Sequence, residues 1–214
     1  MDSLSCRALA VVFAVGLLAC PGRTMAVPAD AQELAKAQDS LPSADAVSAD
    51  ELRKNYGRRQ FTPFGDSKFY FEIFSPNGWE SHLSEVDPDQ LAHDTEGPVP
   101  MAEFAPSGAD DVGVQVLYLR VKGDRPLAKI LDTFVQQNNG KVVTRQSVEV
   151  KGRKMEEALM STTADDLGPI LTRVALFQRG DIAYILSGWS VEEKYDKFKR
   201  LFAAVEASFE PGAK

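Results

Sequence analysis

The sequence predicts an α/β (α+β) domain, a three-layer α/β/α sandwich around a largely antiparallel sheet. Three observations lead there. Between residues 141 and 189 four strand-like segments follow one another across tight turns, which is the pattern of an antiparallel meander. Two strand-like segments are apolar on both faces: Val112, Val114 and Val116 oppose Leu117, Leu119 and Val121, while Ile182, Tyr184 and Leu186 oppose Ala183, Ile185 and Trp189. A strand of that kind needs cover on both sides. Two segments with helical periodicity are available to supply it.

The elements read in order as follows. Ser48 and Glu51 have capping-box spacing, so a short helix is expected over residues 49–56, stopped by Gly57. Residues 68–74 alternate as a strand with Phe69, Phe71 and Ile73 inward, and Ser75-Pro76-Asn77-Gly78 ends it in a turn that Trp79 anchors in the core. Residues 80–100 read as an acidic loop. Short strands follow at 101–105 and 112–121. Asp124 and Pro126 open a helix whose Leu127, Ile130, Leu131 and Phe134 share one face, ending at Asn139-Gly140. The meander occupies residues 141–150, 153–163, 169–178 and 181–189, with Lys151-Gly152 and Arg179-Gly180 at tight turns. Ser190 and Glu193 match a capping box again, opening a helix striped by Tyr195, Phe198, Phe202, Val205 and Phe209.

Ahead of the domain, residues 1–26 have the form of a secretory signal: Arg7 and the terminal amine, a 12-residue apolar run over residues 8–19, then Pro21 and Gly22. Twelve residues are too few to span a bilayer, which takes about 20. Thr24-Met25-Ala26 suits a signal peptidase and would leave Val27 first; this is the favoured route. Leu17-Leu18-Ala19-Cys20 resembles a lipobox, the alternative, with Cys20 carrying the lipid. Residues 27–59 are read as a flexible tether with short helices, one of them at 32–38, and residues 60–210 as the domain. Export places the protein in the periplasm or outside the cell, or on the envelope if Cys20 is acylated.

Composition excludes several classes of function. The net charge is −7, and removal of residues 1–26 takes away Asp2, Arg7 and Arg23, leaving 22 basic against 30 acidic side chains. An acidic chain without a dense Lys/Arg run is a poor partner for nucleic acid. The two cysteines, Cys6 and Cys20, both lie in the signal. Disulfide frameworks, thiolate metal sites and cysteine nucleophiles are thereby excluded from the mature chain.

The densest constellation of reactive side chains is Glu80, His82, Glu85, Asp87, Asp89, His93, Asp94 and Glu96, which includes both histidines. Imidazole with carboxylates suits a divalent metal, or a binding surface for a partner. The spacing is irregular, and Asp87-Pro88-Asp89 lacks the glycine and distal glutamate of a calcium loop, so a solvated acidic loop is the competing reading. No cofactor is called for beyond that metal alternative. Gly-x-Ser-x-Gly is absent, Ser161, Ser187 and Ser190 lack an activating context, and Ser190 reads as a helix cap. Asp165-Asp166 and Glu192-Glu193 read as a solvated turn and a helix start, and Gly108, Gly113 and Gly123 lack the spacing of a phosphate loop. Arg179-Gly180-Asp181 reads as a hairpin turn.

The stretch from Phe69 to Phe74 leading to Pro76-Asn77-Gly78-Trp79, the helix from Pro126 to Asn139 closed by Gly140, and the ending from Ala183-Tyr184-Ile185-Leu186 to Ser208-Phe209 together resemble the PsbP/Mog-like family of α/β/α proteins. The likeness covers about residues 61–210 and includes the bacterial periplasmic PsbP-like and DcrB-like branch. It implies a non-enzymatic accessory or binding role toward a protein or envelope partner, because the family shares no catalytic residue set. A hydrolase with an unrecognised site is the remaining alternative. The processing expectation is testable directly. Intact-mass measurement of native protein should give a start at Val27, or an acylated Cys20; a chain retaining Met1 would overturn both.

Overall fold

The computed structural model describes residues 41–43, 47–84, 97–121, 123 and 125–212. The signal, Cys20, the helix expected at 32–38 and Asp124 lie outside the described residues. The elements run α1 (Ala49–Asn55), β1 (Tyr56–Phe61), two single 3-10 turns (Pro63–Gly65 and Ser67–Phe69), β2 (Phe71–Pro76), β3 (Trp79–Leu83), β4 (Val99–Pro106), β5 (Val112–Arg120) and α2 (Leu127–Gln137). Then come β6 (Lys141–Val150), β7 (Arg153–Ala164), β8 (Gly168–Arg179), β9 (Ile182–Val191), α3 (Glu192–Ser208) and β10 (Glu210–Pro211).

β3 to β9 form a seven-stranded antiparallel sheet in the order β3-β4-β5-β9-β8-β7-β6. The meander is the one the turn residues predict. Val150 pairs with Arg153 across Lys151 (φ 52°) and Gly152 (φ 76°), a two-residue loop in the left-handed region that matches strand twist. Arg179 pairs with Ile182, so Arg179-Gly180-Asp181 is a hairpin turn.

Each face of the sheet buries its own cluster. On one, Val112, Val114, Val116, Leu159, Phe177, Tyr184 and Leu186 pack with Phe202 and Val205 of α3, with Phe209 just after it, and with Phe71 and Ile73 of β2. On the other, Leu117, Ala158, Val174, Leu176 and Ile185 pack with Ile130, Leu131, Phe134 and Val135 of α2. The architecture is therefore the expected α/β/α sandwich. The α3 side carries an addition, a small sheet in the order β1-β2-β10.

Four local expectations are corrected. The strand placed at 68–74 begins later, at Phe71, because Asp66 caps a 3-10 turn over Ser67–Phe69 through its side chain and Lys68 N–H; Phe69, Phe71 and Ile73 are nevertheless all buried. The reading of 80–100 as loop fails at its start, where β3 pairs with β4 from Trp79 to Leu83. The tether to residue 59 gives way to α1, capped by Ser48 as its spacing predicts, and to β1, whose Arg58 and Arg59 pair with Phe74 and Ile73. Ser190 caps nothing. β9 continues through it, paired with Val112 and Leu171, and α3 starts after Val191 with no side-chain cap.

The fit of α3 depends on one close approach. Gly188 of β9 lies under the Phe202 ring, and a Cβ there would sit 2.6 Å from ring carbons, so this strand position admits only glycine. Phe202 is fully buried, whereas Phe198, expected to be buried as well, is half-buried at the edge of the cluster. Phe202→Ala should therefore cost about 3 to 5 kcal/mol in urea unfolding, and Phe198→Ala clearly less. Equal losses would mean that α3 docks differently.

Candidate functional site

Among the described residues, the layer on the α2 side covers only part of the sheet. α2 lies over β6, β7 and β8 and reaches the lower ends of β5 and β9 through Leu117, Val121, Ala183 and Ile185. The remaining quadrant, formed by β3, β4 and the upper ends of β5 and β9, presents Glu80, His82, Glu103, Gln115 and Trp189 on the same face. Strand alternation puts them there. Glu80 and His82 are exposed, and their Oε2 and Nε2 atoms are 3.8 Å apart. His82 stands opposite Glu103, which stands opposite Gln115. Glu103 is half-buried, and desolvation raises its carboxyl above the ordinary carboxylate range with His82 pulling the other way.

Trp189 completes the quadrant. It pairs across strands with Gly113, and a Cβ at Gly113 would lie 3.0 Å from the indole Nε1. Glycine at that position lets the ring lie across β5. The quadrant is thus an acidic, aromatic surface without a Lys or Arg among the side chains named. It has the means to recognise a partner; an exposed imidazole–carboxylate contact at 3.8 Å holds nothing tightly by itself.

Of the residues singled out in the sequence, the structure brings Glu80 and His82 together on β3. Glu85, Asp87, Asp89, His93, Asp94 and Glu96 lie outside the described residues. Among the described residues no group of three or more His, Cys, Asp or Glu side chains could hold a metal ion. Ser187 and Ser190 are buried in β9, and Ser190 Oγ has no hydrogen-bond partner among the described residues. Asp165-Asp166 form the exposed turn after β7. A shallow cleft of about 240 Å³ lies by β2, lined by Arg58, Glu72, Ile73, Phe74, Ser208 and Glu210. Its charges are already engaged: Arg58 with Glu72, and Lys151 with Glu210.

Sequence reasoning missed a buried charge cluster between the sheet and α3. Arg173 of β8 is 1% exposed. Its Nε donates to Glu206 Oε2 of α3 at 2.5 Å, its Nη2 lies 3.0 Å from Glu157 Oε2 of β7, and its Nη1 donates to the Pro42 carbonyl at 2.8 Å. Gln146 Nε2 also donates to Glu157 Oε2, at 2.6 Å. Glu206 Oε1 is buried with no hydrogen-bond partner among the described residues. Burial pushes the Glu206 carboxyl up to about 8, with Arg173 opposing the rise and Glu157 adding to it. A signal did exist. Arg173 interrupts an apolar inward row in β8, and Glu206 follows Phe202 by one turn inside Ala203-Ala204-Val205 and Ala207; opposite charges in two such settings mark a buried pair.

No protein-family model matches the sequence, and no curated protein matches it. Solved structures do. The cyanobacterial PsbP protein CyanoP of Synechocystis sp. PCC 6803 aligns over 72% of this chain and 92% of its own, at 13% identity and a TM-score of 0.52. LpqN, described as involved in cell envelope biogenesis of Mycobacterium tuberculosis, aligns over 78% and 97%, at 12% identity and 0.47. The Saccharomyces cerevisiae Ran-binding protein Mog1p aligns over 73% and 96%, at 13% and 0.44. The chain is an α/β/α sandwich with an open sheet quadrant. Its fold is that of PsbP, as the sequence resemblance implied, and at this identity the likeness is one of fold.

The charge cluster generates a pH prediction. Folded protein keeps a proton on Glu206 that the unfolded chain releases above the ordinary value of 4.5, so the contribution of this group to stability is full below that value and declines as pH rises from there toward 8. The slope expected from one proton is at most about 1.4 kcal/mol per pH unit. Urea unfolding between pH 5 and 8 should show this decline, and Glu206→Gln should flatten it. Parallel profiles for the two proteins would refute the assignment.

Proposed function

We propose that this chain is an exported, non-catalytic accessory protein that acts in the periplasm by binding a protein or envelope partner. The observation that carries the reading is the open quadrant of the sheet. Elsewhere the polar groups of the described residues are largely turned on one another: Arg173 on two carboxylates, Arg58 on Glu72, Lys194 on Asp111. At the quadrant, by contrast, an indole and a desolvated carboxyl face outward. The contact surface proposed is Glu80, His82, Glu103 and Trp189, continued by Glu85, Asp87, Asp89, His93, Asp94 and Glu96 of the segment that joins β3 to β4.

Non-enzymatic action is supported by the seclusion of the serines: Ser190 is fully buried and Ser187 is 7% exposed. The leader at residues 1–26 supports export, either with cleavage after Ala26 or with lipidation of Cys20. Among the described residues no helix is long and apolar enough to cross a membrane.

The test is capture by cross-linking in the native envelope, comparing the natural chain with Asp87→Lys/Asp89→Lys. Both proteins should unfold within about 0.5 kcal/mol of each other, as the sequence reading of residues 80–96 as a solvated acidic loop implies. Recovery of the partner should fall several-fold in the variant, through lost electrostatic steering. Equal recovery would place the contact elsewhere, and a stoichiometric divalent ion in the natural protein, absent from the variant, would make this a metal-binding protein.

A further inference from the structure

Residues 41–43 precede the first helix yet are fixed to the core. Leu41 is 4% exposed and belongs to the α3-side cluster, and the Pro42 carbonyl supplies the third acceptor of the buried Arg173 guanidinium. Val47, just before the Ser48 cap, is also buried. We propose that residues 41–43 form a strap whose docking is coupled to a proton held by the Arg173–Glu157–Glu206 cluster, so that the strap stays seated in acidic and neutral medium and loosens as the medium becomes alkaline. Nothing in this rests on the partner reading above.

The composition of the cluster requires that coupling. One guanidinium meets two carboxylates, all three within a few per cent of full burial. With both carboxylates ionised the site would carry a buried excess of one negative charge, which is far costlier than a protonated acid. The groups facing Glu206 are Arg173 and Glu157 from the sheet and Tyr195 from its own helix. Tyr195 stays neutral, because burial holds its phenol well above the usual value, and Gln146 does not titrate. Only a proton on one of the carboxylates balances the site.

The strap is the removable wall. Its departure would take the Pro42 carbonyl from Nη1 and admit water to the cluster. A hydrated Glu206 returns toward ordinary carboxyl behaviour and gives up its proton. Strap release and proton release are therefore linked, and linkage is reciprocal: raising the pH favours release.

Amide hydrogen exchange on the mature protein tests this, with rates corrected for the intrinsic pH effect. Protection at Leu41, Ser43 and Val47 should fall at least tenfold from pH 6 to pH 9, and at each pH it should lie at least tenfold below that of Leu186 in β9, which reports global opening. Glu206→Gln and Glu157→Gln should each remove the pH dependence, since either leaves one carboxylate to one guanidinium. Should Glu206→Gln not fold, the carbon-detected titration of Glu206 in the natural protein decides. Strap protection that is independent of pH, strap protection equal to that of Leu186, or a Glu206 titration near 4.5 would each overturn the proposal.

Discussion

A guanidinium cannot be carried into a protein interior without acceptors for its donors, and this requirement at Arg173 organises much of the molecule. The side chain reaches inward from β8, and its three bonded nitrogens find one acceptor each on β7, on α3 and on the strap. An ion cluster of this kind is weak evidence for net stability, because desolvation offsets most of the attraction. It is stronger evidence for position. If α3 slid by one residue along the sheet, Glu206 would miss Nε and leave a buried cation short of a partner. The contact between Phe202 and Gly188 sets the same register by shape, one helical turn away. Charge and packing therefore agree on a single seat for α3.

That seat explains why the two faces of the sheet differ. On the α3 side the helix, the small sheet and the strap close the layer, and aromatic rings fill it: Phe71, Phe177 and Tyr184 each lie within 5.5 Å of the Phe209 ring centre. On the other side, among the described residues, one helix of 11 residues covers a sheet of seven strands. Eleven residues extend about 16 Å, whereas seven strands at about 4.8 Å spacing extend nearly twice as far. Part of the sheet is left uncovered by the described elements. The edges are protected by other means. β6 carries Lys141, Arg145 and Glu149 and a bulge between Val142 and Thr144, both of which hinder pairing with a further strand despite the exposed Val142 and Val143.

The fold was legible in the sequence where local chemistry and packing impose the same answer. Lys151-Gly152 specifies a turn by backbone conformation alone, and the Leu127, Ile130, Leu131 and Phe134 row specifies a buried helix face by its spacing. Errors arose where a non-local partner decided. β3 reads as polar loop because an edge strand with one open face need not alternate cleanly, and only its pairing with β4 makes it a strand. Arg58 and Arg59 read as the end of a tether because nothing near them in sequence announces the β2 strand with which they pair. Ser190 fits the spacing of a cap, but the β5 and β8 ladders on either side of it extend the strand past it. The candidate site was legible only in part: Glu80 and His82 were singled out as reactive side chains, whereas Glu103, Gln115 and Trp189 join them only once strand register is known.

The same physics accounts for what distinguishes the open quadrant from ordinary surface. Exposed charges elsewhere on the sheet sit in water, where they cost nothing and reveal nothing. Glu103 is different, since its carboxyl has lost part of its hydration, and among the described residues it is His82 that pulls the other way. Trp189 likewise keeps part of a large apolar ring in contact with solvent, over a glycine that any larger residue would have to displace. Each arrangement is locally unfavourable, and neither is needed to close the core, which is complete beneath α2 and α3. Departures from local optimum that the fold does not require are where a chain reserves surface for something else, and here two of them lie on one face.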